Sequence, residues 1–505
     1  MKRKEILLVY PKMGMSGSLV QHIPLSVLYA ASESIRRGFD VDVIDVRLNP
    51  QNWETDISSK VTPDTLIIGL SVMTGSPIRN ALDISRWVKA AYPDIKVVWG
   101  GPHTMFNAEE ILVSEKSVDY AISGYGSKPL SELAAYLRGD TEAPSLTEIK
   151  GLIFRDDAGK AVSVPRQNAF EHIYYKDIPY HLIEHNLKHY TQLGSAQRIF
   201  PIYSALGCPY KCSFCSSPVQ YKHMEKSYVT LPHTEVVDHI EYVQNKYGAQ
   251  YIYFIDDDSF VNIAHVDNII EEINKRGLKI KLGFRGARIN EIKKMSDEFL
   301  SKLAKAGTDI MHIGAESGSQ RILDMVRKNC TVADIIEINQ KMARHPEIKT
   351  AYNWIVGLPG ETLDDLRQSR ELMKKLVNDN PGAIIFIPDK FRPLPGSELY
   401  EAALKYGYTK PTRVEDWIDK EVESDDRPPW FTKDIANTIN MMQITSFFID
   451  NKLFKVETGD SMKFKMLRLM ARIYSPVAKA RFNSGFSNFL IEYKLFNLYA
   501  ARFRK

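Results

Sequence analysis

The 505-residue chain is 44% apolar and 25% charged, values of ordinary folded domains that exclude a disordered or collagen-like polymer. Its length exceeds what one hydrophobic core sustains, about 250–300 residues, so several domains are expected. Its four cysteines exclude a disulfide framework, and no apolar run reaches the roughly 18–20 residues needed to cross a bilayer. The net charge of +4 conceals an asymmetry: residues 461–505 carry ten Lys/Arg and one acid, Glu492, a net +9 against −5 for the rest.

The chain opens MKRKEILLVYPKMG. Its apolar stretch is too short for a signal-peptide core and reads as a first strand, so we expect a cytoplasmic protein. Further strand-like runs follow: DVDVIDV, TLIIGLSVMT, IKVVWGG and VDYAISG. Between the first strand and DVDVIDV, Leu25, Leu28, Tyr29 and Ile35 recur at helical spacing, and Gly38 stands where a helix ends. Strands alternating with helices predict a doubly wound α/β sheet whose ligand meets the strand ends. Those ends hold Ser71, Thr74, Gly100, Gly101 and Gly124.

GLIFRDDAGKAVSV (151–164) predicts a hairpin turning at DDAG, and a mixed polar and aromatic linker follows. A second alternating series then begins: PIYSALG, QYIYFIDD, IKLGFRGA, DIMHIGAES, TAYNWIVGLPG and AIIFIPDKF. Strands each followed by a helix-like segment predict a complete or partial β/α barrel with its chemistry on the loops after the strands. Those loops hold the cysteine cluster, Asp256, Asp258, Arg285, Glu316 and Glu361. Beyond about 400 the pattern becomes helical and rich in aromatics. The expected division is 1–145, a linker with the hairpin at 146–195, the barrel at 196–405 and a helical region at 406–505.

The densest chemistry is GCPYKCSFCSSP, with Cys208, Cys212 and Cys215 on one loop. Zinc sites more often use paired C-x2-C knuckles and need a fourth ligand, which His223 or Cys330 could supply. An iron–sulfur cube usually takes four thiolates, so three leave one iron open to a small molecule. The spacing C-x3-C-x-aromatic-C, with Phe214 as the aromatic, resembles the radical S-adenosylmethionine superfamily over about 195–400. The resemblance implies a 4Fe–4S cluster on the three cysteines, with S-adenosylmethionine chelated at the open iron. Reductive cleavage of that sulfonium then yields a 5′-deoxyadenosyl radical. It further implies that Arg285 pairs with the cofactor carboxylate and that Glu316 holds its ribose or ammonium. Asp256 and Asp258 occupy the loop that often contacts the same molecule.

A doubly wound domain ahead of such a barrel, with SVMTG, GGPHTM, GLPGET and RPLPGSELY, resembles the cobalamin-binding class of this superfamily over roughly 1–410. Cobalamin's nucleotide tail carries a phosphate and amides, which suit backbone N–H groups and small hydroxyls at strand ends. Two departures are visible. No D-x-H-x-x-G signature occurs in 1–150, and a GEGE-like element reads GYGSKP. His103 lies in the right loop type, where a lone histidine is expected to be solvated. Cys330 is expected to be structural.

The pairing implies methylation of an unactivated carbon in a small-molecule substrate, a hydrophobic or natural-product intermediate, with a reducing partner such as flavodoxin or ferredoxin. Ring closure or rearrangement without methyl transfer is the alternative within the class. Methylthiolation of tRNA or protein needs three cysteines in the first domain, and none precedes Cys208. A non-catalytic cofactor-binding module would not need a complete barrel. The basic tail, with Phe486, Phe489, Tyr493, Phe496 and Tyr499, reads as a peripheral contact with the inner membrane face rather than with nucleic acid. Helices capping the barrel with a solvated basic face are the plainer reading.

Overall fold

The computed structural model describes residues 4–13, 22–191, 197–418, 427–450 and 462–494. Near the start, β1 (Ile6–Tyr10), β2 (Val41–Asp45), β3 (Ile67–Ser71), β4 (Lys96–Gly100) and β5 (Tyr120–Ile122) pair in parallel in the order β2-β1-β3-β4-β5. Both faces are covered, so the strands are continuous apolar runs rather than alternating ones. Ile6 and Leu8 join one core and Leu7 and Val9 the other. Helices Leu25–Arg36 and Ser127–Arg138 cover the first face, and Pro77–Ala91 and Thr104–Ser114 the second. The strand order turns between β1 and β3, which leaves a crevice beyond the carboxyl ends of the strands.

The hairpin expected within the linker extends this sheet. β6 (Leu152–Arg155) pairs antiparallel with β5, and β7 (Ala161–Ser163) with β6. Its turn is closed by the Asp156 carboxylate, which accepts the Ala158 and Lys160 amides.

The second sheet is parallel throughout. β8 (Ile199–Ile202), β11 (Tyr251–Phe254), β12 (Lys281–Ala287), β13 (Thr308–Glu316), β14 (Lys349–Val356) and β15 (Ala383–Ile385) follow the order β15-β14-β13-β12-β11-β8. Among the described residues β8 and β15 do not pair, so the barrel is partial. Four of the helices among these strands start on side-chain caps: Asn262, Ser296, Thr331 and Thr362 each accept the amide three residues on.

The segment PIYSALG, expected as one strand, divides in two. The buried Asp256 carboxylate, just past β11, accepts the amides of Ser204 (2.7 Å) and Ala205 (3.0 Å) and the Ser204 hydroxyl (2.7 Å). Those amides leave the ladder, and the chain turns into β9 (Ala205–Gly207), antiparallel to β10 (Tyr228–Thr230). The β9–β10 pair closes the loop that carries the cysteines.

The two sheets are joined. One apolar core runs from Ile6, Leu8 and Leu28 into Phe200, Ile252 and Phe284 of the barrel. At the joint, Arg47 forms a buried ion pair with Asp45 (2.6 Å) and donates to the His22 carbonyl (2.7 Å), while the Tyr190 hydroxyl donates to Asp45. Residues just past the expected barrel boundary return to the first sheet, where Val414 and Trp417 enter its second core and Glu415 pairs with Arg86. Helices Lys433–Ile449 and Met462–Ser484 pack on each other and on Leu363–Asp379.

Gly207 has φ +84°, and a methyl group there would meet the Ser227 carbonyl and come within 2.5 Å of Phe170 Cζ. Gly207→Ala should cost about 1–3 kcal/mol locally. The β9–β10 amides would then exchange with solvent faster than in the parent, and unaltered exchange there would contradict the fit.

Candidate active site

Cys208, Cys212 and Cys215 are free thiols on the loop closed by β9 and β10, Cys212 buried and the other two half-buried. The loop is anchored by Ser213, whose amide and hydroxyl donate to the carbonyls of Val326 and Met325. Ser213 O in turn accepts the Leu399 amide. Phe214 packs into a small apolar cluster with Ile322, Val326, Leu358, Phe391 and Leu399. Cys212 Sγ accepts Arg288 Nη1 at 3.0 Å, and Cys215 Sγ accepts the Ser217 amide at 3.4 Å. Burial pushes the Cys208 thiol up to about 12 and raises Cys215 as well. Thiols so placed ionise when a metal supplies the missing positive charge.

Around the loop lie paired charges. Glu316, at the end of β13, has φ +62°, a left-handed backbone rare outside glycine. It turns the carboxylate onto Lys328 Nζ at 2.6 Å, and both residues are buried. Burial opposes the Lys328 charge, but the Glu316 carboxylate more than offsets this and raises its pKa. A side chain at Gly314 would overlap both partners, so glycine makes room for the pair. Lys328 reaches inward from a turn whose flanking residues, Arg327 and Asn329, also have positive φ. Asp258 is buried, and burial together with the neighbouring Glu291 carboxylate pushes its pKa well up. Burial also holds Asp256 above the usual carboxylate range, against the pull of Ser204 and Ala205. Both oxygens of Asp256 are therefore engaged inside the protein.

Arg285 on β12 is exposed, and none of the described carboxylates forms an ion pair with it. Its charge lowers the pKa values of His22 and His312, after burial, which is the larger cause. Arg47 also acts on His22, ahead of Arg285. Both imidazoles sit at about 4 and are neutral. Their rings form a line across the strands: His22 stacks on Tyr253 at 5.2 Å, Tyr253 meets His312 edge-on at 5.9 Å, and His312 meets Phe386 at 4.7 Å.

At the first sheet, the Ser71 and Ser26 hydroxyls meet at 2.9 Å, and Thr74 Oγ1 lies 3.2 Å from His103 Nδ1. The expectation of a solvated His103 does not hold. The ring is fully buried against Trp417, which leaves Nε2 without a partner and pushes its pKa down to about 3. Gly101 has φ +97°, and a methyl group there would come within 2.9 Å of Val72 backbone atoms. Gly100 faces open space. Arg392, beyond β14, donates to the Thr74 carbonyl at 2.8 Å and ties this loop to the barrel.

Between the two sheets lies a cavity of about 590 Å³. One wall is Gly101, Ser123 and Gly124 from the loops after β4 and β5, with Met105 from the start of helix Thr104–Ser114. The other is Ser216, Tyr221 and His223 from the cysteine loop. This is the volume of a drug-sized ligand, suited to the nucleotide tail of cobalamin rather than to the whole molecule. Another cavity, of about 360 Å³ around Glu184, Lys188 and Arg198, lies at the amino-terminal side of β8.

Three thiols on one closed loop are the donor type that an iron–sulfur cluster takes. Zinc needs ligands gathered round a point at about 2.0–2.3 Å, and no three His, Cys, Asp or Glu are so gathered among the described residues. Cys330, one expected fourth ligand, lies in the main core, and His223 lines the cavity. Sequence reasoning overlooked Arg288, Lys328, Glu291, Tyr210 and His22. Only Arg288 left a signal, as the second arginine of GFRGAR at the end of a barrel strand.

Two family models match this chain: the B12 binding domain over residues 16–134 and the Radical SAM superfamily over residues 202–373. An uncharacterized methyltransferase of Pyrococcus horikoshii is 27% identical over 80% of this chain and 84% of its own. An anaerobic magnesium-protoporphyrin IX monomethyl ester cyclase of Cereibacter sphaeroides is 29% identical over 70% of this chain and 55% of its own. Among solved structures, the radical S-adenosylmethionine methyltransferase TsrM from Kitasatospora setae, with cobalamin and [4Fe-4S] cluster bound, shares the fold. The TM-score is 0.62 at 20% identity, covering 81% of this chain and 76% of that one.

The GLPGET turn carries a titrating group. Glu361 accepts the amides of Gly357 and Leu358, and its second oxygen is buried without a partner. Burial pushes it up to about 7. The folded state therefore binds this proton more tightly than the unfolded state, and stability falls as pH rises from the ordinary glutamate range towards 7. Glu361→Gln should gain stability on the parent between about pH 5 and pH 8, by at most about 3 kcal/mol. A pH-independent difference in melting midpoint would contradict this.

Proposed function

The chain carries a B12-binding domain ahead of a radical SAM domain, the makings of a cobalamin-dependent radical SAM enzyme, and from that premise we propose that it methylates an unactivated carbon of a hydrophobic small molecule. The observation that carries this reading is the shared cavity, whose opposite walls come from the strand ends of the first sheet and from the cysteine loop. The cavity marks where the first sheet's strand ends come up to the loop that would carry the cluster.

When bound, the cluster and S-adenosylmethionine supply a carbon radical, and cobalamin supplies a methyl group. Cys208, Cys212 and Cys215 would hold the cluster. Arg285, lacking a partner carboxylate, is suited to an anionic group of S-adenosylmethionine or substrate by a two-pronged hydrogen bond. Glu316, held by Lys328, would orient the cofactor's ammonium or ribose. Phe214 and Asp256 would act by fixing the loop, and Asp258 by accepting the Phe260 amide in the turn after β11. Gly101 and Gly124 would let a phosphate-bearing tail approach the backbone, with Ser71 and Thr74 offering hydroxyls and Gly100 open space. A reducing partner such as flavodoxin or ferredoxin would deliver the electron.

For the substrate, the row of neutral rings from His22 through Tyr253 and His312 to Phe386 favours an apolar or conjugated body over a strongly polar one. The C-terminal region supports delivery from a lipid surface. In helix Met462–Ser484, Leu469, Ile473 and Val477 form one line of exposed apolar side chains, Ile473 at 71% exposure. The following turn presents Phe486, Phe489 at 82% and Ile491. Arg481 holds that turn outward by donating to the carbonyls of Asn488 (2.9 Å) and Phe489 (3.0 Å). No helix among the described residues is long and apolar enough to cross a membrane, so the contact would be peripheral, with the +9 tail against anionic lipid. Phe496 and Tyr499 lie outside the described residues.

Anaerobically reconstituted enzyme, given S-adenosylmethionine and reductant, should form 5′-deoxyadenosine, and Cys212→Ala should abolish it. S-adenosylhomocysteine should accumulate with turnover of substrate. Its absence beside continued 5′-deoxyadenosine formation would favour ring closure, the chemistry named for the Cereibacter relative.

Replacing Phe486, Phe489 and Ile491 together by Ser should weaken sedimentation with anionic vesicles at least about tenfold, since each large apolar group contributes about 1.5–3 kcal/mol when buried. Equal binding by parent and variant would remove the membrane reading.

A further inference from the structure

We propose that Arg288 is a positioning residue that raises the reduction potential of the group held by Cys212. The inference rests on the reading that the cysteine loop carries an iron–sulfur cluster. Arg288 directly follows β12 and is buried. One arm of its guanidinium donates to Cys212 Sγ at 3.0 Å and the other to the Lys328 carbonyl at 2.7 Å. Its plane lies 4.0 Å from the ring of Tyr210, the residue midway between Cys208 and Cys212. The Tyr210 hydroxyl donates to Glu291 Oε1 at 2.5 Å, and Glu291 Oε2 accepts the Arg288 amide at 3.1 Å. The side chain is held on every side, so the N–H to sulfur contact is fixed rather than transient.

A cluster ligated by thiolates gains negative charge on reduction. A hydrogen bond to a ligand sulfur withdraws electron density from it, and a buried cation stabilises the added charge. Arg288 supplies both. Lys328, the other buried cation nearby, is neutralised by Glu316 at 2.6 Å, whereas the neighbouring carboxylate Asp258 is biased towards its protonated form. Arg288 forms no ion pair among the described residues: Glu291 accepts its backbone amide, and its guanidinium is directed at Cys212 Sγ and the Lys328 carbonyl. Arginine suits this place because its fork spans Sγ and the Lys328 carbonyl together and keeps its charge when buried. Lysine could make one of those contacts.

The test is a redox titration of the anaerobically reconstituted full chain, followed by electron paramagnetic resonance of the reduced cluster. At a fixed poised potential, Arg288→Gln should lower the ratio of reduced to oxidised cluster by about tenfold, a shift of about 59 mV for one electron. Arg288→Lys, which keeps the charge and loses one arm, should lower it by a smaller factor. A strongly coupled exchangeable proton in the pulsed spectrum of the parent should disappear in the Gln variant. If Arg288→Gln loads no cluster, the Lys variant decides, and a ratio equal to the parent's overturns the proposal. Parent and variants with equal iron content and equal potentials overturn it too, while leaving the functional reading intact. A parent that takes up no iron refutes that reading itself.

Discussion

The geometry of the site depends on one buried carboxylate. Asp256 takes the two backbone amides and the hydroxyl that end β8. Without that acceptor those amides would be buried and unpaired, or would continue the parallel ladder. With it, the chain bends out of the sheet, pairs as β9 with β10, and returns a closed loop to the carboxyl end of the barrel. The three sulfurs ride on that loop. Burial disfavours the Asp256 charge, so the hydrogen bonds carry the cost of holding it there.

A second constraint is the joint between the sheets. The Asp45–Arg47–Tyr190 cluster and the continuous apolar core fix the face of the first sheet against the barrel. Arg392 reaches across to the loop after β3. The crevice of the first sheet and the cysteine loop therefore share a wall of one cavity rather than opening to separate solvent. On the proposed reading two large cofactors act in turn on one substrate, which needs that proximity, since reacting groups must come within a few ångströms of each other.

Much of this was legible in the sequence. Doubly covered parallel strands are long apolar runs, so Ile6–Tyr10 and Ile67–Ser71 announce themselves. The C-x3-C-x2-C spacing needs no tertiary knowledge, and the paired α/β architecture follows from the alternation. The rest depended on contacts that spacing does not encode. PIYSALG has strand composition throughout, and only the Asp256 carboxylate, fifty residues on, breaks it. The 151–164 hairpin reads as local structure, and nothing in it tells which sheet it will extend. Lys328 looks like a surface residue in VRKNC until two flanking left-handed residues turn it inward. His103 looked like a loop histidine because Trp417, which buries it, is distant in the chain. For PIYSALG and His103 the deciding partner belongs to another element, and for Lys328 it is a backbone conformation that composition does not encode.

The account stands or falls on whether one chain holds both cofactors at once. The most direct measurement is the metal content of anaerobically reconstituted protein supplied with iron, sulfide and cobalamin. The account predicts about four irons and one cobalt per chain. Zinc in place of iron, or iron with no retained cobalt, would contradict it.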